Sequence, residues 1–541
     1  MKSCHLRFLA LLLTMVMLFG LLAGCGSGSQ DSGTQQQTTS QQQDINVSAA
    51  DLQQAADTDT TKTYKKKIVI GSANPMTNPD PQAIYDNAHN TIENLVYNQL
   101  VSYNFDTREV EPELAVEWKA EDPQTYWFKL REGVKFSNGE ELTADDVRYT
   151  FMDRVSVTGG TAQPSVFPTI EDVEILGDYE LRIHLNTADA DFLNRMYIQS
   201  FAICNKDACE ADPENGFKIG TGGWILTEFI ASDHATYKRF DDSWVWKENG
   251  LNPTEELEYR YIPEASTRTA ALEAGDIAAS GNISLSEYDI LAGNDNIDVT
   301  LFAAEVLDYL IINMKNGIAA DDDNLRMAIA YALDIDEANA YSQDGLATRA
   351  YTIWGMSQYG YFDDFDEKLE FNLDKAKEYL AKSKHPNGCD FNIYVTNNYE
   401  SMATLLQAQL KKINVNVIVH VTDKAGMTEV VKAGEHDAIF MSISLQSIGD
   451  RFHFVCNPKS STNRALYENP EMLDKFNAAL AETDDAARKQ IYKEIQIELN
   501  DVKAYIPYFY EVLCVGNNKN VTGIKWSPDS KPDFTYIRWA E

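Results

Sequence analysis

The stretch Tyr126 to Phe151, YWFKLREGVKFSNGEELTADDVRYTF, carries the most structural information in the chain. Tyr126, Phe128 and Leu130 alternate with Trp127, Lys129 and Arg131, the period-two pattern of a half-buried strand. Gly133 breaks that period, and Asn138-Gly139 marks a tight turn. Thr143 stands three residues before Asp146, which predicts a capped helix carrying Val147, Tyr149 and Phe151. Nothing in this pattern is catalytic.

The N-terminus adds an independent reading. Lys2 and Arg7 precede an apolar run from Phe8 to Leu22, too short to span a bilayer and shaped like a secretory signal. It ends in Leu22-Ala23-Gly24-Cys25, which matches the bacterial lipoprotein box. Residues 1–24 therefore read as a signal peptide, and Cys25 as the lipidated first residue of the mature chain. Two acyl chains, at roughly 0.8 kcal/mol per buried methylene, hold a protein on a membrane without a transmembrane helix. The rest of segment 25–64 is Gly, Ser, Gln, Thr and Asp with few large apolar residues, and it reads as a flexible tether. Its r.m.s. reach is on the order of 35 Å.

The remaining residues suffice for two or three domains with sizeable cores. Acidic residues outnumber basic ones, 83 to 46, for a net charge of -37. That balance argues against nucleic acid as a partner and suits an extracellular protein. Beyond Cys4 and Cys25, five cysteines remain (204, 209, 389, 456 and 514), so at least one is expected free of any intrachain bridge. Cys204 and Cys209 are close enough in sequence to pair, but their disulfide state is left open. The chain contains no G-x-S-x-G, no H-E-x-x-H and no phosphate-binding G-x4-G-K-[ST]. Asp321-Asp322-Asp323 lacks the Gly and Glu of a calcium loop and reads as the acidic start of a helix. No catalytic residue, metal or cofactor is expected.

The residues just quoted resemble the signature of the family-5 bacterial extracellular solute-binding proteins, and further blocks follow in the family's order. Asn78-Pro79-Asp80-Pro81 leads to a helix ending in Tyr97-Asn98-Gln99-Leu100. Gly220-Thr221-Gly222-Gly223-Trp224 resembles the family's Gly-Thr-Gly-Pro-Tyr turn, with Gly223 and Trp224 replacing Pro and Tyr. Asn324 to Asp334 resembles the second characteristic block, Phe371 to Leu380 a helix that follows it, and Tyr505 to Tyr510 a returning strand. Thr483 reads as the cap of a late helix with Ile491, Ile495 and Leu499 on its buried stripe.

The resemblance implies an α/β, two-lobed periplasmic-binding-protein-like fold (type II, cluster C) with an extra subdomain inserted in the first lobe. The first lobe would comprise 65–103, 214–306 and 511–541, the inserted subdomain 104–213, and the second lobe 307–510. Two strands would cross between lobes near Tyr309–Asn313 and Ile506–Tyr510. It further implies a monomeric binding protein, not an enzyme, outside the cytoplasm. That protein would take a peptide into an interlobe cleft and deliver it to an ABC permease and its ATPase. Ligand-contacting positions carried over from the family are Tyr85, Asn87, Trp354, Ser444 and Tyr510. The family's ammonium-binding Asp aligns with Gln446, or with Asp450 if a gap is allowed. That departure leaves open a non-peptide solute (an oligosaccharide, an opine or a metal chelate), and a peptide-sensing receptor is the reading from another class.

Overall fold

The computed structural model describes residues 62–82, 94–105, 107–154, 170–249, 253–366, 368–444, 455–458, 460, 463–528 and 532–541. The opening stretch folds as its pattern predicts. Strand Thr125–Leu130 buries Tyr126, Phe128 and Leu130. It pairs antiparallel with Ala115–Asp122 on one side and with Glu180–Leu185 on the other. Burying each of those side chains stabilises by roughly 1.5–3 kcal/mol. Strand Ile170–Gly177 completes a four-stranded sheet. The Asp146 carboxylate accepts the Thr143 backbone N–H at 2.9 Å, and helix Ala144–Arg148 begins there before widening into a π-turn over Tyr149–Arg154. Val147 and Phe151 close the core over this sheet.

The principal sheet has eleven strands. Lys67–Ser72 and Glu256–Tyr261 run parallel near one side, and Cys389–Thr396 and Ala438–Ser444 run parallel near the other. Two long strands, Ile297–Ile312 and Tyr505–Asn518, join the halves. They pair antiparallel from Ile297 opposite Asn518 to Ile311 opposite Tyr505. The register shifts between Ala303 and Leu307, where a bulge adds twist and bend. On one side of the bulge, Gly516 and Asn517 pair with Ala279–Ser280. On the other, Val306 to Ile312 pair with Ala438–Ser444. Tyr309 to Ile312 thus pair with Ala438 to Met441. One core packs around Ile68, Tyr237 and Trp224, and another around Tyr309, Trp354 and Tyr505. A third contains Leu301, Leu310, Phe391 and Leu406, and so spans both sides of the bulge.

Local chemistry explains several boundaries. Gly220 must be glycine because a Cβ there would lie 2.0 Å from the Val96 carbonyl oxygen. Asp322, in the acidic triplet, caps helix Asp323–Ala332 by accepting the Leu325 N–H at 3.0 Å. The helix expected from Phe371 starts at Leu373, because Asn372 caps it and Phe371 remains exposed. The cap expected at Thr483 is Asp484, which accepts from the Ala487 N–H at 2.8 Å and starts helix Asp485–Val502. Cys204, Cys209, Cys389 and Cys514 are free thiols. No helix among the described residues is long and apolar enough to cross a membrane.

Candidate functional site

Strands of both halves end at the bulge. In a parallel sheet the carboxyl ends present unpaired backbone groups, and ligands bind in the crevice outside them. On the first side, Ser72, Asn74, Asn282, Phe302, Trp526 and Ser527 line a small recess. The Ser72 hydroxyl bridges to the Asn74 backbone and shapes the chain that leaves the first strand.

On the second side, Ala438–Ser444 ends beside Val306. Asp308 stands opposite Ser442 in this ladder, and Ser442 accepts a hydrogen bond from the Tyr399 hydroxyl at 2.5 Å. Tyr399 lies just after the carboxyl end of Cys389–Thr396. Glu511 lies on the second long strand, one residue beyond Tyr510, which pairs with Leu307. Burial and the neighbouring Glu511 push the Asp308 carboxyl well above the usual range; burial likewise raises Glu511. Burial also raises the Tyr399 phenol, so that group stays neutral.

Residues within 104–213 contact residues within 307–510 through polar groups. Asp191, 1% exposed, accepts from the Tyr492 hydroxyl and forms an ion pair with Arg488 at 3.2 Å. The Ala190 N–H reaches the Leu480 carbonyl at 2.7 Å, and Arg108 Nη2 reaches the Met356 carbonyl at 2.6 Å. Glu305, inside the bulge, accepts from the Ser357 N–H at 2.8 Å while its own N–H donates to the Pro528 carbonyl. The crossing strand is thereby fastened to segments on both sides.

Of the positions expected to contact ligand, Tyr85, Asn87, Gln446 and Asp450 lie outside the described residues, as does the lipidation site Cys25. Ser444 is half-buried at the end of its strand, beside the crossing. Trp354 and Tyr510 are both fully buried. The Trp354 ring stacks on Phe476 with centroids 6.3 Å apart, and its carbonyl accepts the Tyr510 hydroxyl. In this structure both are packed in the core around Tyr309 and Tyr505. Asp308, Glu511, Ser442 and Tyr399 were not singled out from the sequence. A signal was present: a lone carboxylate in the apolar run Leu307–Ile312, and another directly after Ile506–Tyr510.

Residues 109–465 match the family described as bacterial extracellular solute-binding proteins, family 5 Middle. The oligopeptide-binding protein AppA of Bacillus subtilis (strain 168) is 26% identical over 96% of this chain and 96% of its own length. Heme-binding protein A of Haemophilus influenzae is 26% identical over 82% of this chain and 86% of its own. Among solved structures, the periplasmic binding protein DppA of Helicobacter pylori, in complex with peptide STSA, superposes with a TM-score of 0.74 at 22% identity. That match covers 89% of this chain and 99% of DppA. The two-lobed α/β architecture and the family match agree: the chain belongs to the family-5 bacterial extracellular solute-binding proteins.

Proposed function

We propose that this protein is the lipid-anchored capture component of an ABC importer and that its ligand is a peptide. The observation that carries the reading is the pair of long strands, Ile297–Ile312 and Tyr505–Asn518, that cross between two lobes with the carboxyl ends of both half-sheets at the crossing. A cleft over such a hinge binds by closing, and closure is a shift in population toward the form that the ligand contacts best. Likeness to AppA, over nearly the whole of both chains, supports peptide as the solute.

The lobes in this reading comprise 65–103 with 214–306 and 511–541, and 307–510, with 104–213 inserted in the first. An extended peptide is held by main-chain hydrogen bonds to strand ends, in the manner of strand addition. Tyr85, Asn87, Ser444, Gln446 and Asp450 contact it, while Trp354 and Tyr510 stiffen the wall from behind. The protein acts by binding alone, as a monomer, without a covalent step, cofactor or metal. Cys25 carries the lipid that holds it at the outer face of the cell membrane, where it meets the permease and ATPase complex.

Native mass spectrometry of the gently purified protein tests this. A ladder of co-purified peptide masses is the expected result. A single discrete non-peptide adduct would overturn it in favour of a second reading, a non-peptide solute, which Gln446 at the ammonium position and the likeness to a heme-binding protein support.

A further inference from the structure

A cavity of about 510 Å³ opens beside the hairpin of Val101–Asn104 and Glu109–Pro112 and is also lined by Arg131, Trp244, Ser527 and Tyr536. Small-molecule sites span roughly 300–1,000 Å³, so the space suits a ligand rather than a few waters. Its polar floor is fixed in place. Glu113 accepts Asn98 Nδ2 at 2.8 Å on one carboxyl oxygen and the Gln99 N–H at 3.1 Å on the other. Asn98 Oδ1 in turn accepts the Thr221 hydroxyl at 2.9 Å and Trp244 Nε1 at 3.2 Å. Arg131 Nε donates to the Glu113 carbonyl at 3.2 Å, and its guanidinium carbon lies 4.6 Å from the Trp244 ring centroid. Groups held this way before a ligand arrives lower the ordering cost of binding it.

The lining also has an aromatic wall. Tyr103 and Tyr197 stack with centroids 5.1 Å apart, and Phe105 stands edge-on to both. Phe105 and Tyr197 are half-buried, so flat ring surface remains where they line the cavity. Ser527 is 8% exposed, and its Oγ has no hydrogen-bond partner among the described residues. The lining carries both signs of charge, with Glu111 and Asp533 on one hand and Arg131 and Lys525 on the other. A ligand of a single charge therefore meets like charge somewhere on the wall. A hydroxyl does not, because it donates to a carboxylate and accepts from a guanidinium or ammonium. A ring with one flat C–H face and a rim of hydroxyls matches the aromatic wall and the mixed floor together.

We propose that this cavity is a sugar site, taking an uncharged hydroxylated ring whose C–H face packs on Phe105 and Tyr197 and whose hydroxyls bond to the floor, Glu113 and Arg131 among them. The site is additional to the peptide reading and does not depend on it.

Isothermal titration calorimetry of the full chain with glucose, galactose, N-acetylglucosamine, maltose and cellobiose tests the site. At least one of these sugars is expected to bind with a Kd below about 1 mM. Phe105→Ala and Glu113→Gln, each checked for folding by thermal melt, are each expected to weaken that sugar at least tenfold. Their retention of a mixed tripeptide library, read by mass spectrometry, should stay within twofold of wild type. A second measurement needs no variant: saturating the aromatic protons of the wild type should transfer magnetisation to the ring C–H protons of the bound sugar. The proposal is overturned if no sugar in the panel binds, if both folded variants bind it as the wild type does, or if no transfer reaches its ring protons. It is equally overturned if cadaverine, acetate or the dipeptide Ala-Ala binds in place of the sugars and is lost in the same variants. Peptide retention that falls together with sugar binding would make the cavity part of the peptide cleft, and the separate sugar site would fall. A wild type that retains no peptide yet binds a sugar through these residues leaves the site standing while the peptide reading fails.

Discussion

Replacing Glu113 by Gln tests how much stability one half-buried carboxyl controls. Glu113 lies between strands Glu109–Pro112 and Ala115–Asp122 and lines a groove shared with Asn98, Tyr103, Arg131 and Trp244. Its carboxylate accepts Asn98 Nδ2 at 2.8 Å and the Gln99 N–H at 3.1 Å. These bonds favour the charged form, but burial opposes them and wins, so the group is pushed up from 4.5 to about 7. The folded state then binds more protons than the unfolded state between these values. Stability must fall as pH rises through that window and be fully present below it. At about 1.36 kcal/mol per pKa unit, the rise from 4.5 to about 7 sets a limit of roughly 3.4 kcal/mol. About 2.5 kcal/mol of it falls between pH values of roughly 5 and 8. Water in the groove screens the group, so about 2 kcal/mol is the expected reading. The assay is urea unfolding of wild type and Glu113→Gln across that pH range, with the difference between them plotted against pH. The gap should shift toward the variant by that amount as pH rises. A difference that stays flat within about 0.5 kcal/mol would refute the claim that desolvation outweighs the two hydrogen bonds.

Three further outcomes follow from the structure. Asp191→Asn leaves Arg488 without its buried counter-charge and should cost about 3–5 kcal/mol in chemical denaturation. A loss under 1 kcal/mol, on the order of an exposed pair, would mean the contact is solvated. Trp354→Ala should destabilise by about 3–5 kcal/mol through the cavity left against Phe476, with little direct effect on ligand contacts. A folded variant of near-native stability that binds ligand at least tenfold more weakly would instead place Trp354 in the cleft. Cys25→Ala should move the protein from the membrane fraction to the soluble one; persistence at the membrane would make the apolar N-terminal run the anchor.

Local chemistry determined much of this protein without any fold in hand. Alternation in Tyr126–Leu130 placed a strand, and Thr143 with Asp146 placed the start of the helix that covers it. The apolar run before Cys25 and the order of the family blocks set the expected class. These readings rest on residues a few positions apart, whose interactions survive in any context. Boundaries that hinge on which of two adjacent polar side chains wins the cap, Thr483 or Asp484 for example, were legible only to within a residue. Tertiary structure alone decided that Tyr309 pairs with Met441, that Trp354 and Tyr510 face a core, and that Asp308 stands opposite Ser442. Each depends on a pairing between segments far apart in the chain. A lone acid in an apolar strand is only an anomaly in sequence. Its setting depends on what the fold places across the sheet, and here those residues are Ser442 and Phe509.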